Sequence, residues 1–248
     1  MGIKLFRLSS QIFPWSDEYD ITHLKDYDEI AKLMLEVGQI ATDGGQRLTM
    51  HPGPYNCLAS PTQNVVDKTI RQLNFHSYQF NMMGYDPSPY NKINIHVGGA
   101  YGDKKSTLAR FCDNFHLLDD DTKKRLVIEN DDSPNEYSVK DLFDGIYQVI
   151  GIPITFDYFH HKFNTSDLTE EEALKMASIT WPEGITQCCH YSESRRKEKL
   201  DESIRAQAHS DLIRDKIHTY GLEPDIVIEA KLKEQAVFNH WSLGRPKQ

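Results

Sequence analysis

A parallel α/β barrel is the fold class this sequence predicts, and three observations predict it. Seven short apolar runs recur along the 248 residues. Segments with helical periodicity separate them. Run after run stops at a histidine, an aspartate or a glutamate. Strand alternating with helix over a whole chain yields a parallel sheet. Seven such units fit a (β/α) barrel, which usually has eight strands. An open doubly wound sheet is the competing arrangement.

The apolar runs are IKLFRL (3–8), QRLTMH (46–51), KINIHV (92–97), RLVIEN (125–130), PITFDY (153–158), ITQCCH (185–190) and DIVIEA (225–230). Each has the length and composition of a strand buried on both faces. DYDEIAKLMLEVGQIA (26–41) places apolar residues at helical spacing and meets a stop at Gly44-Gly45. QNVVDKTIRQLNFHSYQF (63–80) follows Pro61-Thr62, a helix start signal. Residues 103–118, 138–150, 169–178, 203–220 and 233–241 complete the expected helices. No repeat of fixed period and no low-complexity linker interrupts the chain, so a single domain over 1–248 is expected.

Composition narrows the function. No stretch approaches ~18 apolar residues, so no membrane span is expected. MGIKLF is not followed by the apolar core of a signal peptide. Four cysteines, Cys57, Cys112, Cys188 and Cys189, are too few for a disulfide scaffold and lack zinc-ribbon spacing. A reducing, intracellular setting is the expectation. The net charge of −9 argues against non-specific nucleic-acid binding. Acids and histidines that converge on divalent cations would invert that field locally and make an anion receptor.

The strand ends carry the chemistry. The second to seventh runs end in His51, His96, Glu129, Asp157 (with His160 and His161 just beyond), His190 and Glu229. In a parallel barrel these ends share the face that carries active sites. One histidine there is usually structural, and one acid is often a helix N-cap. Six in succession, mixing imidazole and carboxylate, resist that explanation. Buried carboxylates without cations cost several kcal/mol each. Ligation by His, Asp and Glu without cysteine suits zinc or manganese. No Walker or dinucleotide-binding glycine loop is present; Gly98-Gly99-Ala100-Tyr101-Gly102 lacks the GK[ST] ending.

The motifs FRLSSQIFP, LTMHPGPY, IHVGGAYGDK, RLVIENDD, PITFDYFHH, CCHYS, AHSDLI and VIEAKLKE, in that order, resemble the UV-damage endonuclease family. The likeness runs from residue 5 to about residue 235. It implies a TIM barrel and a nick immediately 5′ of UV photoproducts in double-stranded DNA. It also implies a divalent cluster, expected to be manganese, with zinc or magnesium as alternatives. By motif, the implied ligands are His51, His96, Glu129, Asp157, His160, His190, His209 and Glu229. His209, which alone reads as a helix-face histidine, becomes a ligand only through the resemblance. His161 is assigned to the surroundings of a ligand. Tyr55 matches a residue that enters the duplex beside the flipped lesion, while Pro54 replaces its glutamine partner.

Three departures accompany the likeness. The family carries a further strand before its FRLSS-like strand, so the expected barrel has about seven strands and lacks the first. A histidine ligand expected after Phe-Pro is replaced within Trp15-Ser16-Asp17-Glu18, where Asp17 or Glu18 is a candidate substitute and a weakened metal site is the alternative. A lysine two residues before the sixth strand's histidine is Cys188.

The expected reaction is metal-assisted phosphodiester hydrolysis. Glu129 and Glu229 are the candidate bridging carboxylates and Lys231 the phosphate contact. Lys104-Lys105, Lys123-Lys124-Arg125 and Arg195-Arg196-Lys197 are candidates for flanking phosphates. The expected partner is damaged DNA, bound by a monomer. Two alternatives are a manganese-dependent sugar isomerase or epimerase on the same barrel, and a remnant that binds damaged DNA without cutting it.

Overall fold

A computed structural model of the chain describes residues 2–16 and 18–243. Among these, seven strands are present: β1 (Leu5–Leu8), β2 (Arg47–Met50), β3 (Ile93–Ile95), β4 (Leu126–Glu129), β5 (Ile154–Thr155), β6 (Cys188–Tyr191) and β7 (Asp225–Ile228). Six lie within the runs predicted for them, and β6 extends one residue past its run, to Tyr191. β1 to β5 form one parallel sheet in chain order, and β6 pairs with β7 in a second. A single parallel bridge between Asp157 and His190 joins the two sheets. The His190 N–H donates to the Phe156 carbonyl there at 2.9 Å. No ladder returns from β7 to β1 among the described residues. Instead Arg7 and Glu229 pair across that side. The barrel is thus open along one seam, occupied by a cleft of about 1300 Å³ whose walls include Leu5, Arg7, Ile226, Glu229 and Trp241.

The helices are α1 (Tyr27–Asp43), α2 (Gln63–Met82), α3 (Lys104–Phe115), α4 (Asp120–Arg125), α5 (Val139–Leu142), α6 (Gln148–Ile150), α7 (Tyr158–His161), α8 (Glu170–Ser178), α9 (Arg195–Lys199) and α10 (Glu234–Leu243). A π turn, Phe143–Tyr147, links α5 to α6. Strand residues Leu48, Ile93, Ile95, Ile128 and Ile154 join Leu73, Phe80, Phe111, Leu142 and Leu174 of the helices in one buried core. Each such side chain contributes ~1.5–3 kcal/mol by leaving water. Gly38 lets α1 pass the end of α2: a Cβ there would lie 1.9 Å from the Met83 carbonyl oxygen.

Polar residues take the alternate strand positions. Arg47, Thr49 and His51 alternate along β2, and Lys92, Asn94 and His96 along β3. Arg47 is buried where β2 begins. Its guanidinium donates to the carbonyls of Pro89, Tyr90 and Thr186 and pairs with Asp225 of β7 at 2.8 Å. This bundle ties β2 to the start of β7.

One predicted element is absent. Residues 203–220 form no helix; they run as turns and bends. Two carboxylates from outside the segment take the backbone N–H groups that a helix would bond internally. Glu198 accepts from Asp211 and Leu212, and Glu193 from Arg214 and Asp215. The predicted helix over 103–118 also stops early, at Phe115, before the separate turn of α4.

Candidate metal centre

Seven predicted residues converge at the C-terminal ends of the strands, His160 among them on α7. His51 follows β2, His96 follows β3, Glu129 ends β4, His190 lies within β6 and Glu229 follows β7. Asp157 caps α7, with Oδ1 accepting from the N–H groups of Phe159 and His160 at 2.7 and 2.8 Å. Its other oxygen, Oδ2, is buried without a hydrogen-bond partner. The cap and ligand readings of this aspartate therefore use one oxygen each. Three overlapping groups place donor atoms within 4.8 Å of one another: His51, Glu129 and His190; His96, Glu129 and His160; Asp157, His190 and Glu229.

Each ring is held by one nitrogen and presents the other. His51 Nδ1 faces the Pro52 carbonyl at 3.1 Å while its Nε2 lies 3.2 Å from Glu129. His96 Nδ1 lies 2.7 Å from Asp131, and its Nε2 3.8 Å from Glu129. His160 Nδ1 bonds the Asn130 carbonyl at 2.8 Å. An Nδ1–H held by a carbonyl or carboxylate leaves the Nε2 lone pair for a metal. His190 is reversed: Nδ1 lies 3.0 Å from Glu129 and 3.4 Å from Glu229, and Nε2 lies 2.9 Å from Lys92.

The electrostatics couples buried carboxylates to the imidazoles around them. Burial raises the Asp157 carboxyl to about 7, against the pull of His160. Burial works to raise Glu129 as well, but His190 and His96 outweigh it and hold that carboxyl well below its usual range. Glu229 is likewise opposed by burial, yet His190 and Arg7 bring it to about 2. Burial lowers the His190 imidazole to about 4. In His96 burial is overcome by Glu129 and Asp131, which lift it to about 10; Asp157 and Glu129 lift His160 to about 8. In the metal-free protein, protons on these two rings offset the carboxylates. Nitrogen and oxygen donors, no thiolate, and an unpartnered buried carboxylate oxygen fit a divalent cation of the manganese or zinc type.

Other predicted residues stand apart from the three groups. His209 borders the cleft, its Nδ1 bonded to the Glu229 carbonyl at 3.0 Å, which leaves its Nε2 lone pair free to ligate. It lies on the loop over 203–220 rather than on a helix, and its ring packs edge-on against Phe159 of α7. His161 is buried against the Phe156 ring and enters none of the groups. Tyr55 is 90% exposed, so it packs in no core. Lys231 is exposed on the rim of the cleft. Glu18 pairs with Lys68 at 3.7 Å and joins no metal-type group; Asp17 lies outside the described residues. Arg125, a candidate phosphate contact, is fully buried and donates to Ser77 and the Tyr85 carbonyl, so it serves the fold. Lys104, Lys123, Arg195 and Arg196 pair with Asp141, Asp120, Asp211 and Glu202.

Besides Lys92, which bonds His190, sequence reasoning missed three contributors. Asp131 orients His96, Asn94 donates to Glu129, and Arg7 pairs with Glu229. The signal for Asn94 was the alternation of Lys92, Asn94 and His96, which puts all three on one face of β3.

Residues 1–243 match the family model described as UV-endonuclease UvdE. A relative from Schizosaccharomyces pombe, "UV-damage endonuclease", is 38% identical over 246 residues. That match covers 96% of this chain, which spans only 40% of the relative's length. The solved structure "Crystal Structure of SacUVDE" superposes with a TM-score of 0.82 at 30% identity, covering 98% of this chain and 82% of that one. A D-psicose 3-epimerase from Clostridium cellulolyticum H10 shares the fold alone. Its TM-score is 0.58 at 14% identity, over 99% of this chain and 83% of the other.

Proposed function

The chain belongs to the UV-endonuclease UvdE family, and on that premise we propose that it is a DNA-repair endonuclease. Its reaction is hydrolysis of the phosphodiester 5′ of a UV photoproduct, assisted by divalent ions. The observation that carries this reading is the set of three overlapping donor groups joined through Glu129 and His190 at the mouth of the barrel. The residues of these groups would hold divalent ions, which would supply Lewis-acid stabilisation of phosphoryl charge and activation of water.

The chain's own residues do the rest. Glu129 serves two donor groups and would be the carboxylate shared between the ions they hold. Asp157 and Glu229 complete the third, and His209 extends the ligand set at the cleft edge. Arg7 neutralises Glu229 in the metal-free protein and lies on the cleft wall. Lys231, exposed on the rim, contacts the scissile phosphate. Tyr55 projects from the loop after β2 and stacks where a damaged dinucleotide leaves the duplex. Pro54 beside it offers no side-chain hydrogen bond, so the probing of the gap falls to the tyrosine ring.

The test is nicking of UV-irradiated supercoiled plasmid with manganese present, beside unirradiated plasmid. Cleavage restricted to the irradiated plasmid supports the reading. Lesion-dependent retardation on a gel without a nick would reduce the protein to a damage binder. Ketose formation from a sugar without nicking would replace the reading with epimerase chemistry.

A further inference from the structure

Lys92 carries an amine into the buried interior. It is 1% exposed and stands on β3's inward side, four residues before His96. Lysine is almost never fully buried unless it has partners to satisfy it. Its Nζ has three, each at 2.9 Å: Asn94 Oδ1, Thr155 Oγ1 and His190 Nε2. An apolar residue of the same length would avoid desolvating an amine. The partners show what the amine does. His190 belongs to two of the three donor groups, and its ring is reversed relative to His51, His96 and His160. Those rings are anchored at Nδ1 by oxygen acceptors; at His190 it is Nε2–H that donates, to the uncharged amine of Lys92, whose own two N–H groups go to Asn94 Oδ1 and Thr155 Oγ1. Asn94, whose carbonyl oxygen Lys92 also holds, donates its amide to Glu129 Oε2.

We infer that Lys92 is a positioning residue of the metal centre: it turns His190 so that Nδ1 is the ligand nitrogen, and through Asn94 it fixes the carboxylate of Glu129. This rests on the metal-centre reading above. Lys92 touches neither substrate nor ion. It sets the orientation of the two ligands that the donor groups share, as partners behind metal ligands do elsewhere.

The experiment measures Mn²⁺ binding by titration calorimetry for the wild-type protein, Lys92→Met and Leu73→Ala. Leu73 lies in α2, buried in the outer core. Its truncation lowers the melting temperature and leaves Mn²⁺ affinity within threefold. Lys92→Met weakens Mn²⁺ binding about 10- to 100-fold, the loss a merely structural lysine would not produce. Crystals of the Mn²⁺-loaded wild type show His190 Nδ1 coordinated, and this decides the matter should Lys92→Met not fold. Affinity in Lys92→Met within threefold of wild type, or coordination through His190 Nε2, overturns the inference and leaves the metal centre standing. No Mn²⁺ uptake by the wild type removes the metal centre, and this inference with it.

Discussion

Replacing Glu129 with glutamine tests the centre at the carboxylate that most of its ligands face. Glu129 is 1% exposed, with imidazole nitrogens of His190 and His51 at 3.0 and 3.2 Å. A full unit charge at 3.0 Å from it interacts by roughly 5.5 kcal/mol at an effective dielectric of about 20. A divalent ion in the same place feels more. If desolvation cancels half of the unit-charge figure, about 2.7 kcal/mol remains, which is roughly a hundredfold in binding. The amide keeps the side chain's shape and one neutral oxygen but no charge. Glu129→Gln is therefore expected to bind Mn²⁺ at least about 100-fold more weakly and to lose nicking of irradiated plasmid by a similar factor. Metal content by mass spectrometry, calorimetry and gel assay of nicked plasmid give the three readouts. A variant that retains wild-type Mn²⁺ stoichiometry and affinity and nicks within threefold of the parent would refute the role of Glu129.

Tyr55→Ala should weaken binding to a UV-irradiated duplex by ~1–3 kcal/mol, the worth of one base stacked on an aromatic ring, with melting temperature and metal content unchanged. Fluorescence anisotropy measures it, and equal affinity for the variant sinks the wedge role. The metal-free protein should lose stability as pH rises from about 6.5 to 10. His160 and His96 titrate at about 8 and about 10 when folded but near 6.5 when unfolded, so their contribution is complete below 6.5 and vanishes through those values. Mn²⁺ affinity should climb over the same interval, because ligation needs neutral rings; calorimetric melting and titration at pH 6.5 and 9 check both slopes, and flat profiles contradict them. Arg47→Met removes a buried guanidinium that bonds three carbonyls and Asp225. It should cost about 2–4 kcal/mol in urea unfolding, less than a fully buried pair because Asp225 stays partly solvated. A loss under about 0.5 kcal/mol would show that the bundle does not hold the barrel.

The strands were legible because short apolar runs alternate with helical spacing, and a histidine or carboxylate closes six of the seven runs. Seven runs became seven strands for that reason. The segment over 203–220 misled because its residues have fair helical spacing, while the groups that deny it a helix, Glu193 and Glu198, precede it and act through space. Asp157 was ambiguous between cap and ligand, and the geometry gives it both tasks. Arg7 was invisible: nothing local to FRL says that its guanidinium meets Glu229 across 222 positions. The reversed ring of His190 was equally hidden, since a sequence states that a histidine is present and never which nitrogen it offers. His209 was reached only through the family motif.

The two sheets share one backbone bridge beside the side-chain ties of Arg47 to Asp225 and Arg7 to Glu229, and the third donor group draws its atoms from both sides of that join: Asp157 after β5, His190 and Glu229 from the β6–β7 pair. An ion there acts as a rivet between plates that the backbone scarcely stitches together. Chelation would then do more than remove a reagent: it would unfasten the β6–β7 flap. Amide protons of Cys189, Val227 and their neighbours would exchange with solvent well before those of β3 and β4.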